Sequence, residues 1–121
     1  MSLRVVRLEL GRGAGHPEGD PRHGYEFAAP LNDEGHIDPA EWKEVRQFCT
    51  VRRFTPDGDE EFGRLLHGSG KRWFFHYDIA AEPVEDEPGF RFDSHVFRPG
   101  EYVSITEHDG VTRTFRVVSV R

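Results

Sequence analysis

One stretch, Phe62 to Ile79, constrains the fold of this chain more than any other. Its letters, FGRLLHGSGKRWFFHYDI, place two apolar arms on either side of a glycine-rich centre. Apolar runs that flank Gly and Ser in this way predict two antiparallel strands joined by a tight turn at Ser69-Gly70. We therefore expect the chain to build a β-sheet around this hairpin.

The position of the turn also predicts which side chains of the hairpin share a face. The expected facing pairs are Leu66 with Trp73, Arg64 with Phe75, and Phe62 with Tyr77. The face that we expect to be buried carries Phe62, Leu66, Trp73, Phe75, Tyr77 and Ile79. The outer face would carry Glu61, His67, Arg72, His76 and Asp78. A shift of one residue would exchange the inward and outward sets.

Strand patterns and turn residues recur along the rest of the chain. The expected strands are Leu3–Leu10, Tyr25–Leu31, Thr50–Phe54, Phe90–Phe97, Tyr102–Glu107 and Val111–Val120. Arg98-Pro99-Gly100-Glu101 fits a type II turn, Asp109-Gly110 is a two-residue hairpin signal, and the acidic residues 80–89 are expected to be a surface connection. We predict an all-β, mainly antiparallel fold, a small barrel or sandwich of about seven to eight short strands.

One short α-helix is predicted from about Asp38 to Cys49. Asp38 is a good N-cap, Pro39 suits the first helical position, and Glu41 follows three residues after the cap. Trp42 and Val45 then share one apolar face. We expect this helix to plug one end of a barrel or to cover a sheet edge.

Composition limits the classes of function. With 121 residues the chain fits a single domain, 1–121, and its net charge of −6 disfavours a nucleic-acid partner. No apolar run approaches the about 20 residues of a membrane helix, and the N-terminus lacks a signal-peptide pattern. We therefore expect a bacterial-type cytoplasmic protein that does not bind membranes. Cys49 is the only cysteine, so neither a disulfide within the chain nor a cysteine-based zinc site can form.

The segment GRGAGHPEGDPRHG, residues 11–24, is the best candidate for a ligand surface. Alternating glycines after a strand expose backbone N–H groups that can hold an anion, although no helix follows them as in phosphate-binding loops. A solvated loop without a ligand is the alternative interpretation. The ligand-binding residues that we predict are Arg12, His16, Arg22, His23, Tyr25 and His76.

Evidence for catalysis is weaker in the sequence. The seven histidines show no zinc-protease spacing, and no Gly-x-Ser-x-Gly turn is present. His76 and Asp78 share a strand face, as an acid–base pair would, but so do many exposed polar residues. We assign no catalytic residue, no metal ligand and no cofactor.

A segment near the C-terminus resembles a known flavin-binding barrel. Residues 97–105, FRPGEYVSI, are similar to the PGQYVSI strand of ferredoxin-reductase-type enzymes. Residues 116–119, RVVS, are similar to that family's R-x-Y-S flavin motif, with Val118 where the family has the stacking Tyr. The resemblance implies flavin binding. The turn itself is also common in unrelated barrels, which is the interpretation that we prefer.

The function predicted from these observations is a non-catalytic ligand- or protein-binding module. Its partner would be an unknown protein or a small anionic ligand. The alternatives are a small enzyme or flavin-associated protein using loop 11–24, or a subunit of a larger assembly. The last hairpin is apolar on both faces, so a homo-oligomer through that hairpin is also open.

Overall fold

The computed structural model describes residues 3–13, 17–67, 73–77, 87–90, 95–107 and 109–121. Within these ranges, eight antiparallel strands form a closed barrel in which sequential strands are neighbours and the last pairs with the first. The strands are β1 (Leu3–Leu10), β2 (Asp20–Pro30), β3 (Thr50–Phe54), β4 (Glu60–His67), β5 (Trp73–Tyr77), β6 (Glu87–Phe90), β7 (Tyr102–Thr106) and β8 (Thr112–Val120). The all-β prediction is confirmed.

The barrel interior is the hydrophobic core. Because successive side chains of a strand point to opposite faces, every second residue points into the interior in the strands whose side chains the structure describes. The inward residues include Val6, Leu8, Tyr25, Phe27, Leu65, Trp73, Phe75, Val103, Ile105, Phe115 and Val117, all of them buried. Tyr25 stacks on Phe75 with ring centroids 5.3 Å apart and meets Phe115 edge-on at 5.1 Å.

The predicted helix is present and closes one end of the barrel. Helix α1 spans Pro39–Val45 and continues as one turn of 3₁₀ helix. As predicted, Asp38 caps it: the carboxylate accepts hydrogen bonds from the backbone N–H groups of Ala40 and Glu41 at 3.0 and 3.2 Å. Its Trp42 is buried, and the indole donates a hydrogen bond to the Leu65 carbonyl at 3.0 Å. We refer to this end as the helix end.

The predicted register of the β4–β5 hairpin was wrong by one residue. Leu65 faces Phe75 and Gly63 faces Tyr77, so Trp73, Phe75 and Tyr77 point inward as expected but β4 is turned over. Phe62 is consequently 58% exposed, and His67 stacks on Trp73 at 4.1 Å instead of lying outside. Gly63 explains the choice, because a Cβ there would lie 2.0 Å from the His76 carbonyl oxygen. Residues 68–72, and with them the predicted turn, lie outside the described residues.

Three other boundaries differ from the prediction. Residues 20–24 of the predicted loop belong to β2, where a register shift between Glu9 and Leu10 accommodates Pro21 and His23. Strand β6 ends at Phe90, so Phe97 is buried outside any strand, and residues 80–86 and 91–94 are not described. The last hairpin closes at Glu107 and Val111, with one residue more than a two-residue turn.

The type II turn prediction agrees with the backbone, whereas the turn at Asp109-Gly110 keeps its glycine but was predicted one residue too short. Gly100 has a φ of 96° and the Glu101 N–H donates to the Arg98 carbonyl at 3.0 Å, as in a type II turn. Gly110 has a φ of 80°. In the described part of the chain, no helix is long and apolar enough to cross a bilayer.

Candidate functional site

A group of polar side chains occupies the barrel interior at the end opposite the helix. Arg53, Glu107 and Arg113 each lie two residues beyond the last apolar inward residue of their strands. Tyr25 and His23 continue from Phe27 at the same two-residue spacing, so the alternation that builds the core directs all five inside. We name this group the Glu107 cluster; it consists of His23, Tyr25, Arg53, Glu107 and Arg113.

Glu107 is the centre of the cluster, with a fully buried carboxylate. His23 Nε2 lies 2.9 and 3.1 Å from its two oxygens, and the Tyr25 hydroxyl donates to Oε2 at 2.7 Å. Arg53 donates to Oε2 at 2.9 Å and Arg113 donates to Oε1 at 3.0 Å. A buried carboxylate with this many donors is stably ionised.

The pKa of Glu107 reflects these contacts. Burial alone raises the pKa of a carboxyl group, but the hydrogen bonds from His23 and Tyr25 and the charge of Arg53 outweigh that effect and lower it to about 2. Because both facing oxygens accept hydrogen bonds, Nε2 of His23 carries a proton.

Two further carboxylates balance the arginines of the Glu107 cluster. Arg53 also binds Glu61 at 2.8 Å, and Arg113 binds Asp109 at 2.8 Å. Arg113 and the Val111 N–H lower the pKa of Asp109 to about 2. The side chains of the cluster are therefore occupied by each other, and we interpret it as a polar closure of the barrel end rather than as a reaction site.

A separate cavity lies on the outside of the barrel, beside the junction of β1 and β8. We name it the Arg12 groove; its volume is about 710 Å³ and its lining includes Glu9, Gly11, Arg12, Asp20, Tyr102 and Arg116. The Gly11 N–H donates to the Thr114 carbonyl at 2.9 Å, so the chain continues along β8 beyond the end of β1. Gly11 contributes no side chain, and the space that its Cβ would occupy is taken by the ring of Tyr102 and the Thr114 carbonyl.

Tyr102 and Arg116 form one wall of the Arg12 groove. They are directly opposite each other on β7 and β8 and point outward, where Tyr102 is 51% exposed. The ring of Tyr102 reaches across β8, because a Cβ at Gly11 would lie 3.4 Å from its Cε1 atom. Arg12 is exposed on the neighbouring stretch of chain.

The charged groups of the Arg12 groove differ in how far they are neutralised. Glu9 is paired with Arg7 at 2.8 Å, and Asp20 is paired with Arg22 at 3.2 Å. By contrast, the guanidinium groups of Arg12 and Arg116 make no ion pair or hydrogen bond with any residue that the structure describes. The groove thus presents two unneutralised cations and, in Glu18, one carboxylate without an ion pair among the described residues.

The structure distributes the predicted ligand-binding residues over several places. Arg12 lines the Arg12 groove, and Arg22 is exposed beside it through its pairing with Asp20. His23 and Tyr25 meet at Glu107 inside the barrel. His76 is exposed on the outer face of β5, opposite Arg64, and His16 lies outside the described residues.

Some residues of the Glu107 cluster and of the Arg12 groove were not predicted as ligand contacts. Glu107, Arg53 and Arg113 could have been found by extending the inward alternation of β7, β3 and β8 by one step. Tyr102 could have been noticed in the sequence as an aromatic residue on the outer face of a predicted strand. Its approach to Gly11 has no signal in the sequence, because it depends on β1 pairing with β8.

Neither a metal centre nor a reactive thiol is found among the described residues. In those ranges no three His, Cys, Asp or Glu side chains are grouped as metal ligands. Cys49 is fully buried, and burial raises the pKa of its thiol to about 11. A buried, protonated thiol of this kind packs as a small apolar group.

Comparison with known proteins adds no relative to these observations. No protein-family model matches the chain, and neither the curated proteins nor the solved structures yield a match.

Proposed function

We propose that this protein is a non-catalytic binding module whose ligand surface is the Arg12 groove. The observation that carries the proposal is the pair of unneutralised cations, Arg12 and Arg116, in one cavity of about 710 Å³. Binding sites are typically concave surfaces with a few convergent polar groups. The loop that the sequence marks as a ligand surface supplies Gly11 and Arg12 to this cavity.

The chemistry of the groove favours binding over catalysis. An arginine stays protonated at physiological pH, so it binds and orients anions but does not serve as a general acid or base. Of the three carboxylates in the lining, Glu9 and Asp20 are held in ion pairs and Glu18 is exposed to solvent. No histidine or cysteine is among the described residues that line the groove.

The proposal can be tested by mapping small probes on the protein surface. We would record amide ¹H–¹⁵N spectra with benzoate, phenyl phosphate, benzylamine and benzyl alcohol, each titrated separately. At least one probe should shift the amides of Gly11, Arg12 and Tyr102 in a saturable way, and more than the amides of the distant helix α1. If none of the four does so, the Arg12 groove is not a binding site.

A pair of glycine variants locates the binding further. Gly11→Leu should suppress the shifts, because the new side chain would project against Tyr102 and fill the groove. Gly13→Leu is the matched control, since a Cβ at Gly13 meets no atom within 4 Å and the residue does not line the Arg12 groove. Equal binding by both variants would place the ligand elsewhere.

A second candidate function, a flavin-associated protein, is favoured by one observation. Gly100, Tyr102 and Arg116 belong to the segments that resemble a flavin-binding barrel, and all three line the Arg12 groove. Titration with flavin mononucleotide should then quench the flavin fluorescence in wild type but not in Arg116→Ala. A colourless protein that leaves the fluorescence unchanged would exclude this candidate.

A further inference from the structure

The arginines of the Arg12 groove differ from most others near the β1–β8 junction. Arg7, Arg52 and Arg121 surround the single carboxylate Glu26 on the neighbouring outer face, where Glu9 and Glu60 complete the ion pairs. The pKa of Glu26 is lowered, because these arginines outweigh the effect of its partial burial. Arg12 and Arg116 make no ion pair with a described carboxylate. Glu9 lies opposite Arg116 across β1 and β8 but is held by Arg7, so the charge of both arginines is available to a ligand.

Tyr102 supplies an apolar surface beside these charges. It pairs directly with Arg116 across β7 and β8, and side chains in such pairs have Cβ atoms about 5 Å apart. The edge of its ring lies against Gly11, and Tyr102 is nevertheless 51% exposed. A planar ring stacked on Tyr102 would therefore hold an attached anionic group within reach of Arg116.

The opposite wall limits how much negative charge the ligand can carry. Glu18 also lines the Arg12 groove, is exposed, and makes no hydrogen bond or ion pair with another described residue. Together with Glu9 and Asp20 it would repel an extended polyanion such as a nucleic acid strand. A compact ligand with one anionic group avoids this repulsion and can still meet both arginines.

We propose that the Arg12 groove binds small molecules in which one phosphate or carboxylate is attached to a planar ring. The anion lies between Arg12 and Arg116, where charge-assisted hydrogen bonds are available, and the ring stacks on Tyr102. This inference rests on the proposed function of the groove and specifies the chemical class of its ligand.

Calorimetric titration at low ionic strength tests the inference with four probes. Phenyl phosphate carries both features, benzoate carries a carboxylate on a ring, inorganic phosphate carries only the anion, and benzyl alcohol carries only the ring. Phenyl phosphate should bind about tenfold more tightly than inorganic phosphate, because stacking on an aromatic side chain contributes that order of affinity. Benzyl alcohol should bind more weakly than both ring-bearing anions.

Variants assign each part of the affinity to a side chain. Arg12→Ala and Arg116→Ala should each weaken phenyl phosphate binding about tenfold, whereas Arg64→Ala, which removes an exposed arginine on the far side of the barrel, should not. Tyr102→Ala should reduce phenyl phosphate to the affinity of inorganic phosphate. Tyr102→Phe retains the ring and should retain the difference.

The outcomes separate this inference from the proposed function. If benzyl alcohol binds the groove as tightly as phenyl phosphate, and Arg12→Ala has no effect, the anionic class is wrong although the groove still binds. If inorganic phosphate and phenyl phosphate bind equally in wild type and Tyr102→Ala, the ring is not recognised. If no probe binds and no amide of the groove shifts, the proposed function itself is wrong.

Discussion

At the scale of single residues, the polar contacts inside the barrel converge on Glu107. Its carboxylate is buried and bound by two arginines, a histidine and a tyrosine. Removing one partner of a buried ion pair leaves the other charge buried without a counter-ion. The resulting loss of stability is larger than the stability that the intact pair contributes. The stability of this barrel end therefore depends on one negative charge.

The first prediction concerns the loss of that charge. Glu107→Gln should lower the free energy of unfolding by about 3 kcal/mol, because Arg53 and Arg113 lose their shared counter-ion inside the barrel. Denaturant titration measures the change. Glu44→Gln, on the exposed face of α1, is the control and should change the free energy by less than about 0.5 kcal/mol. Equal effects in the two variants would show that the cluster contributes nothing.

The second prediction concerns pH. The folded-state pKa of Glu107 is about 2, below the ordinary value of 4.5, so the unfolded chain binds its proton more tightly. The stabilisation is complete above pH 4.5 and is lost as the pH falls towards 2. Asp109, whose pKa is also about 2, acts in the same direction. Unfolding measured across this range should show a shallower pH dependence in Glu107→Gln than in wild type; identical curves would contradict the assignment.

At the scale of secondary-structure elements, alternation and turn chemistry predicted most of the strands. β1 and β3 begin and end where the sequence predicts, because in each apolar residues recur over a short stretch that ends near a turn signal, Gly11 after β1 and Pro56 after β3. Asp38 and Pro39 likewise predicted the start of α1. These are local properties, which a sequence displays directly.

The start of β2 and the composition of the Arg12 groove depend on long-range packing, which the sequence alone does not reveal. The start of β2 was hidden by Pro21 and Gly24, which are typical of loops. In the barrel Gly24 is needed, because a Cβ there would lie 1.9 Å from the Leu8 carbonyl oxygen. The Arg12 groove was predicted only in part, because Arg12 and Arg116 are 104 positions apart in the sequence and meet through the pairing of β1 with β8.

The third prediction tests the close contact that sets the β4 register. Gly63→Ala should destabilise the protein by about 1 to 3 kcal/mol, since its Cβ would meet the backbone of His76 and Tyr77 at 2.0 and 2.7 Å. Gly13→Ala is the matched control, with no atom within 4 Å of its Cβ, and should be near neutral. Thermal unfolding compares the two. A neutral Gly63→Ala would favour the other register, in which Gly63 is not pressed against β5.

At the scale of the whole molecule, the two ends of the barrel and its outer surface have different roles. Helix α1 closes one end with Trp42, and the Glu107 cluster closes the other with charged hydrogen bonds. At both ends the polar groups named here bind other parts of the protein, whereas the Arg12 groove exposes the side chains of Arg12 and Arg116. The proposed binding surface is thus a property of barrel closure, because the residues after β1 must lie against β8 to form it.

The most direct test of this account is a measurement of the β1–β8 pairing in solution. Nuclear Overhauser effects between backbone protons should connect Leu8 with Val117 and Leu10 with Phe115, and the Gly11 amide should exchange slowly because it donates to the Thr114 carbonyl at 2.9 Å. Detecting these contacts would establish the closed barrel that creates the Arg12 groove. If β1 and β8 show no cross-strand contacts and the Gly11 amide exchanges freely, the barrel is open and the proposed ligand site does not exist.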